Sequence, residues 1–163
     1  MQPLLIAKLI VLLSIANGTP VLLKKLFGDR FSQPIDGGLL FFDQRRLLGP
    51  PSKTVRGALV SIVLTTLAAP LLGLEASTGA LVASMAMVGD LFSSFIKRRL
   101  DFAPSSRVTG LDQIPESLFP LLACRDLLSL SGIDILTGAA VFSLGAILLS
   151  PVFHRIGIRD RPF

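Results

Sequence analysis

Apolar runs of membrane-spanning length recur along the chain, separated by polar stretches of very unequal length. A helix needs about 20 mostly apolar residues to cross roughly 30 Å of hydrocarbon. Five runs are candidates, at about 3–23, 57–74, 77–96, 115–130 and 133–153. The second and third are parted only around Gly73, Leu74 and Glu75, so they are expected to form a tight hairpin. The fourth is short and is interrupted by Arg125 and Asp126, which are expected to face the bundle interior or a cavity. The first, with Lys8 inside it and no small-residue cleavage site, reads as a span and not as a cleavable signal; Lys8 is expected to snorkel or to pair inside the bundle. The predicted fold is therefore an all-α integral membrane protein, residues 1–163 forming one membrane domain of five transmembrane helices.

Charge gives this pattern an orientation. Lys24, Lys25, Arg30, Arg45, Arg46, Lys53 and Arg56 crowd the stretch between the first two runs. Lys97, Arg98, Arg99 and Arg107 follow the third run, and Arg155, Arg159 and Arg161 lie near the C-terminal end. The connections at Glu75 and Asp134 hold none. Fourteen of the sixteen Lys and Arg residues thus belong to one face. By the positive-inside rule the loops at about 24–56 and 97–114 are cytoplasmic, the N-terminus lies outside, and the protein sits in the cell membrane.

Composition agrees. Of 163 residues, 51% are hydrophobic and only 17% charged, against about a quarter in ordinary domains. The mean hydropathy is +0.70, which a water-facing surface would not allow. The net charge of +5 is spread between apolar spans and not over a soluble basic face, so nucleic acid is an unsuitable partner. Anionic headgroups or anionic substrates suit it better. One cysteine, Cys124, permits no intramolecular disulfide, and one histidine, His154, leaves no classical zinc site and no Ser-His-Asp or Cys-His catalysis.

What remains is carboxylate and cation chemistry. Asp90 lies inside an apolar run, two turns before the Lys97–Arg99 cluster. Spacing of four and then three or four places Asp90, Ser94 and Lys97 or Arg98 on one helical face. A carboxylate inside the membrane is costly unless paired, hydrated or bound to a cation, so it marks function. Carboxylates among Lys and Arg suit Mg²⁺ bound together with substrate phosphates. The Pro50-Pro51-Ser52-Lys53-Thr54 stretch lacks Walker spacing, although Lys53 and Arg56 are spaced to approach one phosphate chain. The Asp36-Gly37-Gly38 stretch has the chemistry of a simple turn. A small transporter lined by Asp90 and Lys8, or a lipid-binding scaffold with a basic face, is the alternative to an enzyme.

The motifs Asn17-Gly-Thr-Pro20, Pro34-Ile-Asp-Gly37, Asp43-x-Arg-Arg-Leu-Leu-Gly49, Lys53-Thr-x-Arg-Gly57, Gly89-Asp90, Ser93-x-x-x-Lys97-Arg98-Arg99 and Leu111-Asp112-Gln113 occur in that order. Together they resemble the CDP-archaeol synthase family, small relatives of the CDP-diacylglycerol synthases. The resemblance covers roughly residues 17–120. It implies a five-span, Mg²⁺-dependent cytidylyltransferase that moves CMP from CTP onto the phosphate of a membrane lipid and releases pyrophosphate. In archaea that lipid is 2,3-di-O-geranylgeranylglyceryl phosphate. On this resemblance Asp90 and Asp112 are the metal-binding and catalytic acids, with Lys97 beside them. Lys53, Arg56, Lys97 and Arg98 would hold triphosphate or lipid phosphate. Asp36 and Asp43 would arrange the first loop around cytidine or join the metal site, with Arg45, Arg46, Thr54, Ser94 and Gln113 completing the substrate contacts. The chain departs from the family pattern at Pro104-Ser105-Ser106, where a Pro-Gly pair is usual.

Overall fold

The structure, a computed structural model, describes residues 1–28, 30–48, 53–102, 108 and 110–155, with the backbone alone over 151–155. Among the described residues five helices follow one another: α1 (Pro3–Phe27), α2 (Val55–Leu71), α3 (Ala76–Arg99), α4 (Gln113–Ala123) and α5 (Gly132–Arg155). No strand occurs among the described residues, only isolated bridges at Pro34–Thr54 and Leu40–Arg46. The all-helical expectation holds. Three helices, α1, α3 and α5, are long and apolar enough to cross a membrane, and α2 is a shorter apolar helix of 17 residues.

The fourth run differs from its expected course. Its helix has 11 residues, about 16 Å at 1.5 Å per residue, too short to span. It stops at Ala123, and a run of turns carries the chain on to α5. Arg125 and Asp126 are exposed on those turns and do not face the bundle interior. Two adjacent charges with no partner inside an apolar helix would cost too much there, and the helix ends before them. Leu128 N–H donates to the Cys124 carbonyl at 2.9 Å and Leu130 N–H to Arg125 at 2.8 Å, which satisfies the backbone through the turns.

The helices meet where side chains are small. Pro20 lacks an N–H, so the Ala16 carbonyl in α1 has no helical partner. The buried Ser61 hydroxyl of α2 donates to it at 2.6 Å and joins the two helices. α3 is the centre of the bundle and packs on α1, α2 and α4. Its buried stripe includes Gly79, Ala83, Ala86, Gly89 and Ser93. A Cβ at Gly79 would stand 2.6 Å from the Thr65 carbonyl of α2, and one at Gly89 would stand 2.2 Å from the Pro115 carbonyl of α4. Small residues at such positions let helix backbones touch in a medium that offers no hydrophobic drive.

The far end of the bundle is held by one carboxylate. Asp134, 1% exposed, accepts from the Gln2 N–H at 2.8 Å and from the Ser131 hydroxyl at 2.6 Å. Ser131 Oγ accepts in return from the Asp134 N–H at 3.2 Å, a capping box that starts α5 and ties it to the start of α1. The Lys8 ammonium reaches towards the α2–α3 turn, 3.6 Å from where a Cβ of Gly73 would lie, as a snorkelling lysine does.

Gly89→Ala is expected to cost about 1–3 kcal/mol by overpacking α3 against α4. Gly145→Ala in α5, with nothing within 4 Å, is expected to be neutral or slightly stabilising. Thermal unfolding of both variants in detergent separates the two outcomes.

Candidate active site

The end of the bundle opposite Asp134 gathers α1's end, α2's start, α3's end and α4's start. Lys53 is held just ahead of α2. The Thr54 hydroxyl caps that helix by accepting from the Gly57 N–H at 3.1 Å, and the Lys53 carbonyl accepts from the Ile35 N–H at 2.9 Å. From this fixed base the Lys53 ammonium donates to Asp90 Oδ1. Two turns further along the same face of α3, Lys97 Nζ lies 2.7 Å from Asp112 Oδ1. The other oxygen of Asp112 accepts from the Val108 N–H at 3.2 Å. Gln113 accepts from the Gly110 N–H at 2.8 Å, which shapes the turn into α4.

A third acid completes the group. Glu116 stands four residues after Asp112 and so on the same face of α4. Because Gly89 has no side chain, Pro115 and Glu116 come against α3 beside Asp90. Glu116 thus comes close enough to Asp90 for the two carboxyl groups to interact. Two carboxyl groups so placed need a proton or a cation between them. Asp90, Asp112 and Glu116 therefore cluster with Lys53 and Lys97 where these side chains are mostly covered. Side-chain exposure is 18% for Asp90, 15% for Asp112, 25% for Lys53 and 11% for Lys97.

Lys53 carries the electrostatic record of this pocket. Burial pulls its ammonium below the ordinary value, but Asp90, Glu116 and Asp112 outweigh burial, and the net displacement is upward. It stays charged throughout the physiological range.

The remaining expected site residues separate into two groups. Asp36, 6% exposed, accepts from the Gly38 and Leu48 N–H groups, each at 3.1 Å, and so folds the first loop on itself. Gly37 and Gly38 at φ of 55° and 82° make the turn it closes. Asp43 accepts from Arg99 at 2.6 Å, and the same guanidinium donates to the Arg46 carbonyl at 3.0 Å. Arg99 lies over the Phe41 and Phe95 rings, 4.7 and 5.1 Å from their centroids. Arg45 pairs with Asp101 at 3.2 Å and reaches the Arg98 carbonyl at 3.5 Å. Arg56 donates to the Arg30 and Gly28 carbonyls and lies over Phe27. Ser94 is buried one turn beyond Asp90, and Ser93 donates to the Asp90 carbonyl at 2.9 Å. The fold thus brings Lys53, Asp90, Lys97 and Asp112 together. Asp36, Asp43, Arg45 and Arg56 bind the loops to each other and to the helix ends. Thr54 caps α2, Gln113 shapes the turn before α4, and Arg46 lends its carbonyl to Arg99. Gly49, Pro50, Pro51, Ser52, Pro104, Ser105, Ser106, Arg107, Arg159 and Arg161 lie outside the described residues, as do the side chains of His154 and Arg155.

Among the described residues no three His, Cys, Asp or Glu side chains form a ready-made metal cage. Mg²⁺ seldom uses one, since it takes one or two carboxylates and completes its shell with water and substrate phosphate. The donor set fits that habit. Asp112 Oδ1 is buried with the Lys97 ammonium 2.7 Å away, a partner that an incoming phosphate could take over. Asp90 and Glu116 are neighbouring carboxylates, the hard oxygen donors that Mg²⁺ prefers.

These features define a class: a multi-pass helical membrane protein with a pocket of acids and lysines at one end of the bundle. A family model described as CarS-like, CDP-archaeol synthase, matches residues 72–163. The chain is 34% identical to the CDP-archaeol synthase of Sulfurisphaera tokodaii over 91% of its own length and 89% of that protein's. It is 30% identical to the one of Thermofilum pendens over 91% and 76% of the two chains. A solved structure described as an intramembrane enzyme for archaeal membrane lipids biosynthesis superposes with a TM-score of 0.73 at 30% identity, covering 86% of this chain and 89% of that one. The chain belongs to the CDP-archaeol synthase family.

Two outcomes test the site's geometry. Asp36→Ala is expected to open the first loop, read as faster proteolysis between α1 and α2 with helical content unchanged. Because the Lys53 value is raised, its contribution to stability is complete below pH 10.5 and is lost as pH rises through the raised value. Lys53→Met should therefore be less stable than the parent near neutrality and should lose less on going above that pH, as melting temperatures in detergent will register.

Proposed function

We propose that this chain transfers CMP from CTP to the phosphate of an unsaturated archaeal diether lipid, with Mg²⁺, at the cytoplasmic face of the cell membrane. Family membership makes it a cytidylyltransferase acting on a lipid phosphate. The lipid named here is 2,3-di-O-geranylgeranylglyceryl phosphate, and support for it comes from archaeal relatives named CDP-archaeol synthases. The cytoplasmic assignment rests on the Lys and Arg loops at the site end of the bundle.

The observation that carries the mechanism is the joining of Asp90, Asp112 and Glu116 to Lys53 and Lys97 at one helix-bundle end. A lipid phosphate is already anionic at neutral pH, so its attack needs no strong base. Its oxygen forms a bond to the α-phosphorus of CTP, the bond from that phosphorus to the β-phosphate oxygen breaks, and pyrophosphate leaves. Catalysis is then positioning and neutralisation of charge. Asp90 and Asp112, with Glu116 beside them, would hold Mg²⁺. When bound, the ion neutralises phosphate charge and aligns the reacting groups. Lys53 and Lys97 exchange their carboxylate partners for phosphate oxygens, and their buried stems keep the ammonium groups aimed. Thr54 and the loop around Asp36 hold Lys53 in register. The chemistry has no need of a histidine or a thiol.

Purified protein given labelled CTP, Mg²⁺ and a panel of lipid phosphates is expected to label the unsaturated diether. Label appearing only on ester-linked phosphatidic acid would move the substrate to another lipid class. Asp90→Asn, Lys97→Met and Glu116→Gln are each expected to lower turnover roughly a hundredfold or more, the scale of losing one preorganised charged group. Unchanged turnover in Asp90→Asn, or in the parent protein after chelation of Mg²⁺, would overturn the metal role.

A further inference from the structure

The first loop exposes more apolar surface than a water-facing loop tolerates. Phe42 is 97% exposed, Phe31 83%, Leu39 65% and Leu40 62%. A contiguous patch of this kind on a soluble surface marks an interaction site or an aggregation hazard. The patch is built and not frayed. Leu40 and Arg46 form an isolated antiparallel bridge, the Phe41 N–H donates to the Arg45 carbonyl at 2.8 Å, and the Gln44 N–H donates to the Phe41 carbonyl at 2.9 Å. A tight turn therefore presents Phe42 at its tip, with Leu39 and Leu40 behind it.

The depth of that turn follows from α3. Phe41 packs edge-on against Phe95, with ring centroids 5.4 Å apart. Phe95 precedes the Lys97–Arg99 cations by two to four residues, so it lies about 3–6 Å nearer the bundle centre than they do. Those cations mark the headgroup level. Phe41 thus sits close to that level, with the Phe42 ring 5.2 Å from it. The flanks continue the same surface. Leu26 and Phe27 at the end of α1, and Leu100 and Phe102 after α3, are exposed apolar residues at the rim of the spanning helices. Lys24, Lys25, Arg30, Arg45 and Arg46 are exposed at the end of α1 and in the same loop, and carry the charge that anionic headgroups attract.

We propose that the Leu39–Gln44 turn inserts into the bilayer interface of the leaflet on the site side, with Phe42 and Leu40 among the upper acyl chains. The occupant of the patch is lipid, and the surface is an extension of the membrane-facing surface of the helices. The insertion fixes the loop that carries Asp36 and Lys53 at headgroup height, where a lipid phosphate resides. It depends on the membrane character of the chain and not on the reaction it performs.

The chain has no tryptophan and no tyrosine, so one substitution creates a lone fluorophore. Phe42→Trp and, separately, Leu40→Trp are placed in vesicles of phosphatidylcholine and phosphatidylglycerol whose acyl chains carry bromine at graded depths. Both are expected to show blue-shifted emission, protection from aqueous iodide, and a loss of emission that is greatest with bromine nearest the headgroup. Emission quenched by iodide and insensitive to brominated lipid would overturn the proposal. So would blue-shifted emission that ignores brominated lipid and changes with protein density, which would assign the patch to a second copy of the chain. Phe31→Trp provides a third position in the same loop should either of the others fail to fold.

Discussion

Everything at the site end depends on one missing side chain. Gly89 lets the α4 backbone lie where a Cβ would otherwise stand 2.2 Å from the Pro115 carbonyl and 2.9 Å from the Glu116 N–H. That contact brings Glu116 to Asp90 and, through the same face of α4, Asp112 to Lys97. The helix that makes it is short, and its shortness is part of the device. A full spanning helix in that position would have to pack along the whole of α3. Eleven residues need only meet the part of α3 around Gly89 and Phe92, and turns carry the chain the rest of the way.

Packing alone would not keep such a group together. Three carboxylates in a partly covered pocket repel one another, and each loses hydration. Lys53 and Lys97 answer this with charges supplied from two other elements, the lead-in to α2 and the last turn of α3. Neither ammonium is left to wander. The Lys53 backbone is pinned by the Thr54 cap and by Ile35, and Lys97 is 8% exposed on a helix. Around them a second set of contacts, Asp43 with Arg99 and Arg45 with Asp101, joins the two long loops. The site is thus braced from the helix side by close packing and from the loop side by ion pairs.

Much of this was legible in the residues. Apolar run length located α1, α2, α3 and α5 to within a few residues, because lipid imposes a nearly fixed length on a spanning helix. The fourth run misled, since run length counts apolar residues on both sides of Arg125 and Asp126, while a helix must stop where two charges have no partner. Asp90 stood out because a carboxylate in an apolar run is rare, and its spacing to Lys97 placed both on one face. Glu116 did not stand out: it follows a proline at a loop edge, and its meeting with Asp90 is a tertiary consequence of Gly89. The short polar residues Asp36, Thr54 and Gln113 carried the opposite lesson. Near turns and helix starts such side chains bond the backbone first, and their motif membership does not show this.

The ion pairs also explain how a pocket can be both stable and receptive. A buried pair is hard to break singly, since the partner left behind is an uncompensated charge. An incoming Mg²⁺-nucleotide, as proposed, breaks no pair singly: it brings cation for the carboxylates and phosphate for the lysines at the same moment. Each group changes partner without being left bare. On that proposal the site would discriminate by charge pattern. A bare anion would satisfy Lys53 and Lys97 but strand Asp90, Asp112 and Glu116 against one another. A bare cation would do the reverse. On the proposed function, a ligand carrying both signs, as a metal-bound triphosphate does, would answer both the acids of α3 and α4 and the lysines of α3 and the lead-in to α2.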